Sequence, residues 1–510
     1  MKFPSKWIGR LLFAVACLVT LFVLFHVEEN WRGERDWNTY KRALQTRGEK
    51  LDWASYIPPR VPDEQNFAMT PFLAPLQDFD PATGKLRETD ALKRAQGFGK
   101  SLPVGSVAGR TTAQCVDLVA WREAMQKPAT NAPAQVPQAK PRTAQERAAA
   151  APAVLAALKP YEAVIEELRV ASQRPHSRFN LRYESENPIE IQLPHLAPLR
   201  NVCKVLALRA SAELALGQSE QALADVALVF HIARSTGNDF LIGCLVDIAA
   251  AEMAIQVVWE GLANRQWSDA QLQVLQAKFE GMDRLAGVQR ALKAERAGFG
   301  NALLDYLRRQ SRSAWLAMLP FNGDSPAPAS RPSFLAAAVS SLIPTGWLYF
   351  EQLNYNRCFD DCLFPVFDMA GRRVHPQRAR QSEEALKDTG VACLWKHRVL
   401  VHLLLPAVNS ISRKAAQAQT VADQASLACA LERCRLAGGR FPDALDALVP
   451  RFVAKLPHDV ITGGPLKYRR EGDGYALYSV GWNEKDEGGV ADAKGDNAQG
   501  DWVWQCPAKN

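Results

Sequence analysis

The sequence contains no Cys-x-x-Cys pair, no His-Glu-x-x-His run and no Gly-x-Ser-x-Gly turn. The usual zinc, dithiol and serine-hydrolase signatures are therefore missing. Residues 97–101, GFGKS, match the end of a phosphate-binding loop, but position 94, where that loop needs glycine, is Arg94. Eight histidines are present, and His397 and His402 stand five apart, a spacing that splays them around a helix instead of converging on a metal. No long run of one charge occurs either. The 61 basic and 54 acidic residues are spread along the 510-residue chain, and a net charge of +7 dispersed in this way does not point to nucleic acid. No small-molecule substrate is identifiable.

Cysteine is sparse and irregular. Nine cysteines follow Cys17, an odd number that supports no dense disulfide framework. Cys429 and Cys434 lie in an expected helix about 140° apart and cannot bridge within it. Cys358 and Cys362 flank FDD and could bridge in a loop, although small buried hydrophobes is the expected role. The acid pair between them, Asp360 and Asp361, reads as part of a solvated loop.

What the sequence does contain begins at its N-terminus. Residues 7–27, WIGRLLFAVACLVTLFVLFHV, form a 21-residue apolar run that spans about 30 Å as a helix, the thickness of the hydrocarbon layer. A cleaved signal peptide would have a shorter apolar region ending in a small-x-small site, whereas residues 18–25 stay bulky. A lipoprotein reading of AVAC at Cys17 fails because the apolar run continues past it. An uncleaved, single-pass anchor in the cytoplasmic (inner) membrane is expected. Lys2, Lys6 and Arg10 precede the run while Arg32, Arg35, Lys41, Arg42 and Arg47 follow it, so the positive-inside rule is divided. The basic start, single apolar run and large C-terminal body place that body on the periplasmic side.

Residues 31–57 read as a short helix and turn leaving the bilayer, with Trp31, Trp37 and Tyr40 as an interfacial aromatic belt. An extended, proline-fixed stretch follows at residues 58–73. Beyond it the sequence predicts a mainly α chain. Leu199, Val202, Cys203, Leu206, Ala210 and Leu214 repeat at helical spacing up to Gly217, and Leu223, Val226, Ala227, Phe230 and Ala233 repeat it again, which predicts a helical hairpin. No second copy at a 34-residue period supports a tetratricopeptide repeat. Ser268 and Gln271 form a capping-box pattern at the start of a further helix. Residues 334–350 are uncharged but short and interrupted by Pro344 and Gly346, so a buried or interfacial segment is expected there. Residues 391–408 read as a buried helix.

Near the C-terminus a helix over about 413–436 ends at Gly438-Gly439, and RFPDALDALVP predicts a short second helix. LKYRRE and YALYSVG, joined by GDG at 472–474, predict a β-hairpin. The resulting divisions are an anchor at 1–30, a juxtamembrane region at 31–126, an Ala/Pro-rich linker at 127–152 and a helical domain at 153–319. A Pro/Ser-rich loop at 320–333, a helical region at 334–410 and a small α+β domain at 411–510 follow.

Two resemblances attach to these residues. RGEKLD at 47–52 and PPRVPDEQNFA at 58–68 resemble segments of a bacterial single-pass membrane protein family of uncharacterised activity. ALERCRLAGGRFP at 430–442, LDALVP at 445–450, LPHD at 456–459 and LYSVGWNEKDEGG at 477–489 resemble, in motif and order, the head of the major pseudopilin of type II secretion systems. That resemblance implies a C-terminal head with a calcium loop. The chain departs from it in lacking a prepilin cleavage signal, in placing about 400 residues between anchor and head, and in carrying Asn483 where the family has Asp. A filament subunit is therefore not expected.

The loop after Gly481 offers Asp486, Glu487, Asp492, Asp496 and Asp501 among glycines, an oxygen-rich set suited to structural calcium. A solvated loop is the alternative, because Lys485 and Lys494 reduce its negative charge. The functional expectation is a non-catalytic envelope scaffold or interaction protein whose partners are the lipid bilayer and other envelope proteins. The alternative is an envelope hydrolase with a site built from loops.

Overall fold

The computed structural model describes residues 5–103, 105, 113–127, 135–136, 140–185, 187–237, 240–310, 343–386, 393, 395–492 and 496–508. The expected loop at 320–333 and residues 334–342 lie outside this set. The chain is mainly helical. In order, the helices are α1 (Ser5–Thr46), α2 (Asp90–Gly97), α3 (Leu118–Gln126), α4 (Ala144–Leu158), α5 (Glu162–Ala171), α6 (Leu196–Ala215) and α7 (Ser219–Ser235). There follow α8 (Leu241–Ala263), α9 (Asp269–Glu280), α10 (Arg284–Glu295), α11 (Leu303–Arg309), α12 (Gly346–Cys358), α13 (Pro376–Ala385) and α14 (Val399–Gly438). A two-stranded ladder pairs β1 (Phe367–Asp368) with β2 (Arg373–Val374), and an antiparallel sheet is ordered β3 (Lys467–Glu471), β4 (Gly474–Ser479), β5 (Trp502–Cys506).

The apolar run is the first half of α1. Its side chains are exposed on all sides, with none of its most hydropathic window buried in the protein. Two other stretches have the length and composition to cross a membrane, Ala144–Ala171 and Leu241–Ala263, with 28% and 67% of the corresponding window buried. They are clamped together by an ion pair between Arg147 of α4 and Glu260 of α8, at 6% and 0% side-chain exposure.

The expected break after the apolar run is absent. No proline stands between Val27 and Thr46, Gly33 is accommodated inside the helix, and α1 continues through both halves. Beyond residue 28 it becomes amphipathic: Gly33, Trp37 and Leu44 are buried along one stripe at helical spacing and pack against α12. The crossing is made at two glycines. A Cβ on Gly33 or Gly346 would lie closer than 3.0 Å to backbone of the other helix. At the same place the Asn30 side chain accepts the Gly346 N–H (2.7 Å) and the Thr345 hydroxyl (3.1 Å), capping α12, and Glu29 accepts the Trp347 indole N–H (3.1 Å). Trp37 and Tyr40 thus belong to the interior and not to the aromatic belt, because they lie on the α12-facing stripe.

The hairpin of α6 and α7 forms as its periodicity predicts: Leu199, Val202, Cys203, Leu206, Ala210 and Leu214 are all fully buried, and Gly217 turns the chain at φ +75°. The linker expected at 127–152 ends early. Thr143 and Glu146 make a reciprocal capping box, and the alanines after it carry α4 into the core.

The predicted second helix of RFPDALDALVP is only a 3₁₀ turn, Leu445–Leu448, too short to continue between two prolines. The predicted hairpin pairs Lys467 with Tyr478 through Glu471 with Gly474. A third strand, β5, adds to β4 with Leu477 opposite Trp504. The sheet lies where the two largest cores meet, and it is tied to the helices by Trp259 Nε1 to Gln505 O (2.8 Å) and Gln424 Nε2 to Trp502 O (2.6 Å). The boundary expected at 411 falls inside α14, a 40-residue helix ended by left-handed Gly439.

Candidate functional site

Loop 480–501 leaves β4 at Gly481 (φ +70°) and returns to β5 through Asp501. Asp501 is its centre. This 2%-exposed carboxylate accepts the N–H groups of Gly489 (2.6 Å), Val490 (3.2 Å) and Glu487 (3.4 Å). Burial raises its pKa, and the donated N–H groups oppose that shift. Glu487 shares a side-chain hydrogen bond with Asp501, and the other three acids face different partners. Asp486 accepts the Gly488 N–H (3.0 Å) and pairs with Lys467 Nζ on β3 (3.1 Å); these contacts hold its carboxyl below the ordinary value. Glu487 accepts Asn483 Nδ2 (2.7 Å), Asp492 accepts the Asp496 N–H (2.9 Å), and Asp496 accepts the Ala498 N–H (2.9 Å).

Asn483 has a use that aspartate would not supply: its amide donates to Glu487, where a second carboxylate would repel it. Among the described residues no three His, Cys, Asp or Glu side chains gather as a cation shell.

The acid pair 360–361 is divided by the structure. Both residues sit on a π-helical turn, Phe359–Leu363, that continues α12, not in an open loop. Asp360 accepts Tyr40 OH (2.6 Å) and Arg296 Nη1 (2.9 Å), while Arg296 Nη2 reaches Glu49 (2.6 Å). The Arg296 side chain is completely buried, on a second π-helical turn, Arg296–Ala302. For Glu49, burial pushes the pKa up, but the hydrogen bond from Lys293 and the Arg296 charge outweigh it and leave the pKa lowered. Nothing local in the sequence announces this group, since Arg296 lies 247 positions from Glu49.

Asp361 instead lines a cavity of about 330 Å³ with Arg357, Cys358, Cys362 and Arg398. Both cysteines are free. A hydrogen bond between the thiols raises the pKa of Cys358 and lowers that of Cys362. A second cavity, about 320 Å³, is apolar and lined by Trp53, Phe240, Leu245 and Phe299, with Glu295 as its carboxyl. Burial pushes Glu295 up to about 7, although it accepts the Leu241 N–H.

No family model, curated protein or solved structure matches this chain.

Proposed function

We propose that this protein is a membrane-anchored envelope scaffold, spanning the cytoplasmic membrane once through residues 7–27 and presenting its body on the periplasmic side. One observation carries the reading. The span runs without a linker into a stripe packed on α12, and the body grips it through Asn30, Glu29 and the Arg296 network. A mere tether needs no such grip; a platform held at fixed height does. The C-terminal order of long helix, short helical turn, hairpin and acidic loop supports the further proposal of a pseudopilin-like head that meets envelope proteins of a secretion-type machine. In that head we assign the loop carboxylates to turn formation. Each already accepts an N–H or pairs with lysine, and calcium would have to displace those partners.

The test is purification of the tagged protein from membranes in mild detergent, with protease added beforehand to intact spheroplasts. The expected result is digestion of the body and copurification of stoichiometric envelope proteins. Full protection refutes the orientation. A partner-free monomer that turns over an ester, peptide or glycoside panel refutes the scaffold and supports the envelope hydrolase.

A further inference from the structure

We infer that residues 395–398 form, with Trp31 of α1, a collar that lies in the headgroup layer of the bilayer and binds anionic phospholipid; this rests on the anchor reading above. Among the described residues beyond the apolar run, only two tryptophans are exposed, Trp31 at 61% and Trp395 at 68%. They are 364 positions apart in sequence, yet the fold brings them to one level.

That level follows from a chain of contacts. Glu29 stands two residues past Val27, about 3 Å along the helix axis, and Trp31 about 6 Å, within the roughly 5–8 Å headgroup zone on each side of the hydrocarbon. Glu29 accepts the indole N–H of Trp347 (3.1 Å), and the Trp347 ring lies 6.1 Å from the ring of Trp395 and 4.8 Å from that of His397. His397 stacks on the Phe350 ring at 5.0 Å, and the Arg32 guanidinium sits 5.1 Å from the centre of that same ring. Asn354 of α12 fixes the segment by donating to the carbonyls of Lys396 (2.9 Å) and His397 (3.0 Å).

The expected buried helix over 391–408 is thus broken at 396–398 by a turn, with His397 at φ +51°, which leaves Trp395 exposed before α14 begins. Burial, with Arg32 beside it, pushes the His397 imidazole down to about 4, so the ring that carries the turn stays neutral.

The chemistry of this surface suits a lipid. Arg35 lies 4.7 Å over the exposed Trp31 ring and pairs with Asp36 (2.8 Å), Arg32 pairs with Glu29 (2.7 Å), and both side chains, like Lys396, stay exposed enough to meet a phosphate as well. Indole rings prefer the headgroup level, and nearby basic side chains attract anionic phosphate. Trp37, about 15 Å past the run, is 3% exposed. Aromatic exposure along α1 therefore ceases where the headgroup zone ends.

The test places photoreactive benzoylphenylalanine singly at position 31, 395 or 274 of the full chain in phosphatidylglycerol–phosphatidylethanolamine vesicles. Val274 is 47% exposed on α9, whose Asp269 and Gln276 bind Arg433 near the far end of α14. Lipid adducts at 31 and 395, at least about tenfold above 274, are expected for interfacial positions. Adducts at 31 but background at 395, or protein adducts at 395, overturn the collar and leave the anchor standing. Background at all three overturns the anchor as well. In parallel, brominated phosphatidylglycerol should quench the wild-type tryptophan fluorescence more than that of Trp395→Phe. Equal quenching overturns the collar even if a photoreactive variant misfolds.

Discussion

Replacing Gly346 with alanine tests the join between the long helix α1 and the body. The added Cβ would lie within 3.0 Å of the Glu29 carbonyl and of the Asn30 backbone, neither of which can rotate away as a side chain would. The two helices must part by about 1 Å, an overpacking that costs about 1–3 kcal/mol. Parting also stretches the Gly346 N–H to Asn30 bond and the Trp347 bond to Glu29, each contributing about 1 kcal/mol. A loss of about 3–5 kcal/mol follows when both bonds are broken.

Gly287→Ala supplies the matched control. That glycine lies inside α10 with nothing within 4 Å of its would-be Cβ, so helix propensity alone acts and stability rises by about 0.5–1 kcal/mol. Urea unfolding of the detergent-solubilised protein, followed by tryptophan fluorescence, reads both variants. Gly346→Ala as stable as wild type would refute the close crossing of α1 and α12.

Arg296→Met should lose about 3–5 kcal/mol, because Glu49 and Asp360 remain without their buried partner; unchanged urea unfolding would contradict the network. The Glu49 pKa is lowered on folding, so its contribution is complete above the ordinary value of 4.5 and disappears as pH falls through the folded value. Melting temperature against pH should therefore drop below about pH 4.5 in the wild type, and less steeply in Glu49→Gln. Leu206→Asp places a charge at a fully buried position of α6 and should destabilise by several kcal/mol, read as a lower melting transition. Asp501→Ala removes the acceptor of three loop N–H groups and should cost about 2–3 kcal/mol. Millimolar calcium should leave the wild-type melting temperature unchanged; a rise abolished by Asp486→Ala would instead establish a calcium site.

Much of the fold was legible wherever its cause was local. The apolar run, the α6–α7 stripe ending at Gly217, the Ser268–Gln271 box and the Gly472 turn each carry their reason within a few residues. The third strand carried a signal too, since Trp502, Trp504 and Cys506 alternate inward, but it follows a long acidic loop with no short turn to mark it as a partner of β4. The unbroken α1 was missed because its continuation depends on α12, more than 300 positions away. The roles of Arg296, Asp360 and Glu49 were hidden for the same reason, and the π-helical turns that carry Arg296 and Asp360 have no pattern in composition. Of the five loop acids, their number could be read from the sequence; which N–H each would accept could not.

The missing linker in α1 also makes the span and the body share one rotational phase. Each residue of an α-helix advances the chain by about 100° and 1.5 Å, and no flexible joint between Val27 and Gly33 can absorb a difference. One inserted alanine there would swing the whole body by about 100° around the span, whereas seven would return it to within about 20° of its starting azimuth at a greater height. Any neighbour that packs against the apolar half of α1 therefore sets the compass bearing of the C-terminal sheet.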